Sequence, residues 1–161
     1  GLILADNSPR VLDDAKALWM DDPMWQPMRA LIEEAMVTKD WFELLLLQNL
    51  LIDGAVHPLV FNKFDNVVVR NGGAAFSMMN EFAIEWFTES SRWVDAVLKR
   101  AIDESDANKT QFRAWLSKWT ARVESAILPL AQAAFDQDSE AMLTEVRDIQ
   151  IARIKKVGLG E

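Results

Sequence analysis

At 161 residues, half of them hydrophobic, the chain has enough apolar surface for one sizeable core and too little length to argue for two. Twenty-five acidic against seventeen basic residues give a net charge of -8, which repels nucleic-acid phosphates and anionic lipid. The absence of cysteine excludes disulfides and thiolate metal sites and suits a reducing cytoplasm, and a single histidine confines imidazole chemistry to one position.

The chain opens on Gly1 and the run Gly-Leu-Ile-Leu-Ala, so the reading is one helical domain over 1–161, or part of a larger one. Six glycines and five prolines leave long stretches with apolar residues at helical spacing, and the expected fold class is all-α. A short helix is expected over 13–20. Asp22 followed by Pro23 has the form of a cap and first-turn proline, opening a helix towards Val37 with Pro27 in its early turns.

Residues 41–56 are apolar on nearly every face, the pattern of a helix enclosed by neighbours, and are shorter than the about 20 residues that span a bilayer. Glu43, Gln48, Asn49 and Asp53 interrupt the run, which reads as a central buried helix and not a membrane segment. Pro58 is expected to bend or end it near His57, and the β-branched Val67, Val68 and Val69 leave helix or extended chain open for 59–69. Asn71, Gly72 and Gly73 mark a turn. Beyond it Ala75, Met79, Phe82, Trp86, Trp93 and Val97 share one stripe of a long helix expected to end near Lys99 and Arg100.

A polar stretch over 103–108 leads to a helix carrying Phe112, Trp115, Trp119, Val123, Ile127 and Leu130, with a kink expected about a turn before Pro129. After Asp136 to Asp138, a last helix with Met142, Val146 and Ile149 runs to Arg153, Lys155 and Lys156 and stops before Gly158. No repeat or low-complexity tract interrupts this order.

Glu81, Glu85 and Glu89 form a carboxylate row four residues apart, which reads as a solvated ridge before a cation site, because acidic residues belong outside and the permanent cation Arg92 opposes a metal there. Gln48, Asn49 and Asp53 read as a hydrogen-bonded buried set, since amides are weak metal ligands and no histidine accompanies them. His57 lacks the positioned partner that a catalytic base needs. A helical diiron site takes a Glu-x-x-His turn from each of two helices; this chain has one histidine, and three residues after Glu89 it has Arg92. The seven tryptophans serve either the core or a large protein interface.

The strings KDWFELLLLQNLLIDGAVHPLVF (39–61) and NGGAAFSMMNEFAIEWFTESSRWVDAVLK (71–99) resemble the β subunit of bacterial multicomponent diiron monooxygenase hydroxylases, the phenol and toluene branch above all, with a looser likeness over 13–135. The resemblance implies a partial ferritin-like (ribonucleotide reductase-like) helical bundle, the C-terminal half of a metal-free subunit. Its partners are then a catalytic α subunit holding the diiron centre and a small γ subunit in a dimeric core, served by an NADH-dependent reductase and an effector protein. Gln48, Glu89 and Arg92 fall at degenerate ligand positions, and Trp41, Trp86 and Trp93 are the candidate subunit interface. On this reading the chain itself has no catalytic, cofactor or metal residues and works in the cytoplasm without nucleic acid or membrane. The competing readings are an independent ferritin-like diiron oxidase and a helical adaptor unrelated to oxygenases.

Overall fold

The computed structural model describes residues 10–70 and 73–160, and among them every regular element is a helix. In chain order these are α1 (Val11–Asp21), α2 (Gln26–Met36), α3 (Trp41–Arg70), α4 (Ala74–Glu104), α5 (Asp106–Phe135) and α6 (Ser139–Lys156). The all-α class is as expected.

Asp22 caps a turn instead of a helix. Its Oδ1 accepts the Met24 N–H at 2.8 Å, and α2 begins only at Gln26, with Pro27 in the first turn where a missing N–H costs no internal bond. Asp40 opens α3, where its Oδ1 accepts the N–H groups of Phe42 (2.9 Å) and Glu43 (3.3 Å).

Pro58 neither ends α3 nor releases the valines into a strand; the helix runs on to Arg70. Leu46–Asp53 and His57–Phe64 are π-helical, separated by the short α turn Gly54–Val56. A π turn directs each N–H five residues back, so the proline ring meets a wider turn than the α register that it would disrupt. At 30 residues α3 is long and apolar enough to cross a membrane on length and composition, yet 56 % of its most apolar 18-residue window is buried inside the bundle. Leu46, Leu47, Leu50 and Leu51 are fully buried, each contributing roughly 1.5–3 kcal/mol relative to exposure.

The expected stripe of α4 exists but faces outward. Val94, Leu98, Ala101 and Ile102 turn into the core, whereas Ala75, Phe82, Trp86 and Trp93 are exposed and Val97 is half-buried. The side chain of Met79, with Asn71 and Gly72 of the expected turn, lies outside the described residues. α4 passes Arg100 and stops at Glu104, because Ser105 takes an extended conformation and its Oγ accepts the Asn108 N–H at 3.1 Å to start α5.

α5 buries Phe112, Trp119, Val123 and Ile127, leaves Trp115 and Leu130 half-buried, and carries Pro129 within its length. Trp119 keeps its indole polar group satisfied by donating Nε1–H to Glu43 Oε1 at 2.8 Å. On α6 Val146 is buried, but Ile149 is half exposed. The helix closes as its sequence predicts: Gly158 N–H donates to the Lys155 carbonyl (3.0 Å) and Leu159 N–H to the Ile154 carbonyl (3.1 Å), with Gly158 at φ +94°.

Candidate functional site

The π turn of α3 exposes backbone carbonyls that α6 reaches. Gln150 Nε2 donates to the carbonyls of Leu51 (2.9 Å) and Leu50 (3.4 Å), and Arg153 Nη1 donates to the carbonyl of Asn49 (2.8 Å). The same guanidinium donates from Nη2 to Asn49 Oδ1 (2.5 Å) and from Nε to Asp95 Oδ1 (2.7 Å), while Lys156 Nζ stands 3.2 Å from Asp95 Oδ2. Asn49, Asp95 and Gln150 are all buried, so this cluster satisfies the polar groups of three helices at once.

Asn49 thus has the hydrogen-bonded structural role expected of it. Asp53 differs, because burial raises its carboxyl to about 6 against the smaller opposing effects of the Gln48 hydrogen bond and the Arg153 charge. Gln48 itself is exposed, with Nε2 3.5 Å from Asp53 Oδ1. Sequence reasoning misses Asp95 and Arg153 as partners, for 58 residues separate them and no local spacing announces the pair.

His57 is buried in an aromatic stack. Its ring lies 4.2 Å from Phe87 at 10° and 4.7 Å from Phe61, with Trp86 at 6.0 Å. Nδ1 is buried without a hydrogen-bond partner, and desolvation pushes the imidazole pKa down, favouring the neutral form. No carboxylate, hydroxyl or thiol is hydrogen-bonded to it among the described residues.

Glu81, Glu85 and Glu89 are exposed on the outer side of α4, as a solvated ridge should be. Glu85, Glu89 and Arg92 border an open groove together with Phe82, Ile84, Trp86 and Thr88. Glu89 and Arg92 make no ion pair with each other among the described residues. Asn49 and Ser90, the chain neighbours of Gln48 and Glu89, meet across the α3–α4 contact at 3.5 Å, so Gln48 and Glu89 flank one helix pair on its outward side.

Gln48, Glu89 and Arg92 offer an amide, one carboxylate and a guanidinium, a donor set that does not fit a carboxylate-bridged pair of iron ions, and His57 is held among rings. Among the described residues no three His, Cys, Asp or Glu side chains gather in a metal-binding group. Of the candidate interface tryptophans, Trp86 and Trp93 share the outward stripe of α4, half exposed at 51 % and 58 %. Trp41 is 53 % exposed elsewhere, its ring on Phe42, which faces Phe112 of α5.

The family model for methane/phenol/alkene hydroxylases matches residues 2–105. The chain is 45 % identical to the oxygenase component DmpL of phenol 2-monooxygenase from Pseudomonas sp. (strain CF600), over 99 % of this chain and 47 % of that protein. It is 25 % identical to the β subunit of the toluene-4-monooxygenase hydroxylase component of Ectopseudomonas mendocina, over 65 % of this chain and 32 % of that one. A crystal structure of xenon-pressurized phenol hydroxylase from Pseudomonas sp. OX1 superposes with a TM-score of 0.90 at 41 % identity, covering 99 % of this chain and 48 % of that one. The chain therefore spans about half the length of the phenol hydroxylase relatives it matches.

Proposed function

The chain belongs to the methane/phenol/alkene hydroxylase family, and on that premise we propose that it is a structural, non-catalytic β-type component of a multicomponent monooxygenase hydroxylase. It packs against a catalytic α subunit that holds the diiron centre, in a dimeric core completed by a small γ subunit and served in the cytoplasm by a reductase and an effector protein. The oxidised substrate is phenol-like or another hydrocarbon, bound by the α subunit.

The observation that carries this reading is the fate of the single imidazole. His57 is stacked on Phe87 within the bundle, and Arg92 stands three residues after Glu89, so this polypeptide completes no Glu-x-x-His turn. The exposed Met36, Val37 and Trp41, close in sequence at the junction of α2 and α3, offer apolar surface for the α subunit.

Purification of the chain with the diiron subunit of its own hydroxylase, followed by iron analysis of each separated polypeptide, tests the proposal. The expected result is a complex whose iron stays with the α subunit. Stoichiometric iron with oxo-bridge absorption in the isolated chain supports the independent oxidase instead, and failure to associate with any diiron subunit supports the unrelated adaptor.

A further inference from the structure

A cleft of about 330 Å³ lies between α5 and α6, with Ala55 of α3 at its floor. Ala55 belongs to the short α turn between the two π segments, and its small side chain leaves space that the leucines before it would fill. Ile127, Leu143 and Val146, all buried, make the walls aliphatic. An aliphatic cavity of about 150 Å³ already takes benzene, so this one has room for a single ring with a substituent.

One polar group in the wall lacks a partner. Gln150 lines the cleft and is only 6 % exposed. Its Nε2 is committed to the carbonyls of Leu51 and Leu50, whereas its Oε1 accepts no hydrogen bond among the described residues. His57 Nδ1 and Ser91 Oγ are sealed off without a partner, but Gln150 Oε1 is not sealed and keeps access to open space. A buried amide oxygen in that position calls for a donor from whatever fills the cleft.

We infer that the cleft is a binding site for a neutral single-ring molecule bearing a hydroxyl, phenol being the simplest, whose O–H donates to Gln150 Oε1 while its ring rests on Ala55, Leu143 and Val146. Charge and hydrogen bonding select that class. Glu124 and Glu140 line the cleft against one cation, Arg147, whose Nε is already paired with Glu124 Oε1 at 3.0 Å. A carboxylate or phenolate meets that negative excess and brings Gln150 an acceptor where a donor is needed. An ammonium gives up its hydration against an aliphatic floor for one acceptor, and a ring without a hydroxyl leaves Oε1 unsatisfied. Because the same amide holds the Leu50 and Leu51 carbonyls, a donor on Oε1 polarises Nε2–H and tightens the hold of α6 on the π turn of α3. This inference uses the chemistry of the cleft and not the subunit assignment.

Photolabelling with 4-azidophenol in the assembled hydroxylase, read by peptide mass spectrometry, tests it on this polypeptide whatever the other subunits bind. The expected adducts fall within 121–128 and 140–150 and are suppressed by excess phenol, with toluene about tenfold weaker as competitor and benzoate and benzylammonium weaker still. Ala55→Leu fills the floor and is expected to abolish the labelling; where that variant fails to assemble, Ser125→Trp at an exposed lining position gives the same readout. Gln150→Met, checked by circular dichroism, is expected to make phenol and toluene compete equally. The inference is overturned by an absence of adducts in these segments, by adducts that phenol does not suppress or that survive filling of the cleft, or by toluene or either ion competing as well as phenol. A preference for phenol that Gln150→Met retains overturns it too. The same labelling on the isolated chain separates this site from the proposed assembly, whose own tests are iron content and co-purification.

Discussion

The Arg153 guanidinium of α6 lies 2.7 Å from the Asp95 carboxylate of α4, and both side chains are nearly buried, at 12 % and 9 % exposure. Asn49 accepts from the same guanidinium through its carbonyl and its side chain, so one cation ties α6 to both α3 and α4.

Removing half of such a pair leaves a buried charge without compensation, whereas removing both halves does not. Arg153→Met is expected to cost about 3 kcal/mol in urea unfolding, with the double variant Arg153→Met, Asp95→Leu losing less than the sum of the two single changes. Simple additivity between them would show that the pair is not coupled.

Asp53 sets a pH dependence of known sign. Its carboxyl ordinarily titrates at 3.8 and is raised to about 6 by burial, so between these values the folded state binds more protons than the unfolded one. Stability conferred by the protonated acid is full below the unfolded value and is lost as pH rises towards 6. Asp53→Asn is expected to raise stability at pH 8 by about 1 kcal/mol, allowing for partial solvent screening, and to give no gain below pH about 4. Thermal unfolding of both proteins across that range decides the matter, and a gain largest at low pH refutes the assignment.

His57 acts in the opposite direction. Its pKa is lowered by burial, so the unfolded state takes up the proton first and stability falls as pH drops through the ordinary histidine range near 6.5. His57→Phe keeps an aromatic ring against Phe87 and removes the unpartnered Nδ1. It is expected to flatten the acid limb of the stability profile while leaving neutral-pH stability within about 1 kcal/mol of the parent. An unchanged acid limb in urea titrations would assign the acid sensitivity to other groups.

Two backbone positions test local geometry with opposite signs. Gly158 sits at φ +94°, where an added Cβ would meet Ile102 Cγ2 at 3.7 Å and Asp103 Oδ1 at 3.8 Å without a clash, so Gly158→Ala is expected to destabilise by about 1 kcal/mol through backbone strain. Asp136 already carries a side chain at φ +47° with ψ -115°, and Asp136→Gly is expected to stabilise by about 1 kcal/mol. Differential scanning calorimetry of the pair reads both, and matching signs would contradict the argument.

Elements with local signals are legible in the sequence. The Gly158 stop, the burial of the 41–56 run and the stripe spacing of α4 all follow from neighbours within a few residues, where composition and period carry the information. Pro58 departs from its sequence expectation because a proline's cost depends on helix register, and the π turns of α3 are set by what packs around them. Asp22 stands one turn ahead of the helix it is expected to open, because the same residue type caps turns and helices alike.

By itself the sequence determined an all-helical chain with one imidazole, no thiol and no paired Glu-x-x-His turns, since residue chemistry and helical period need no knowledge of distant neighbours. Tertiary structure alone decided that the α4 stripe faces out, that His57 is held among rings, and that Arg153 bonds α3 and Asp95. Each of those depends on which helix lies against which, and burial and hydrogen bonding between residues 30 to 104 positions apart are fixed only when the helices pack.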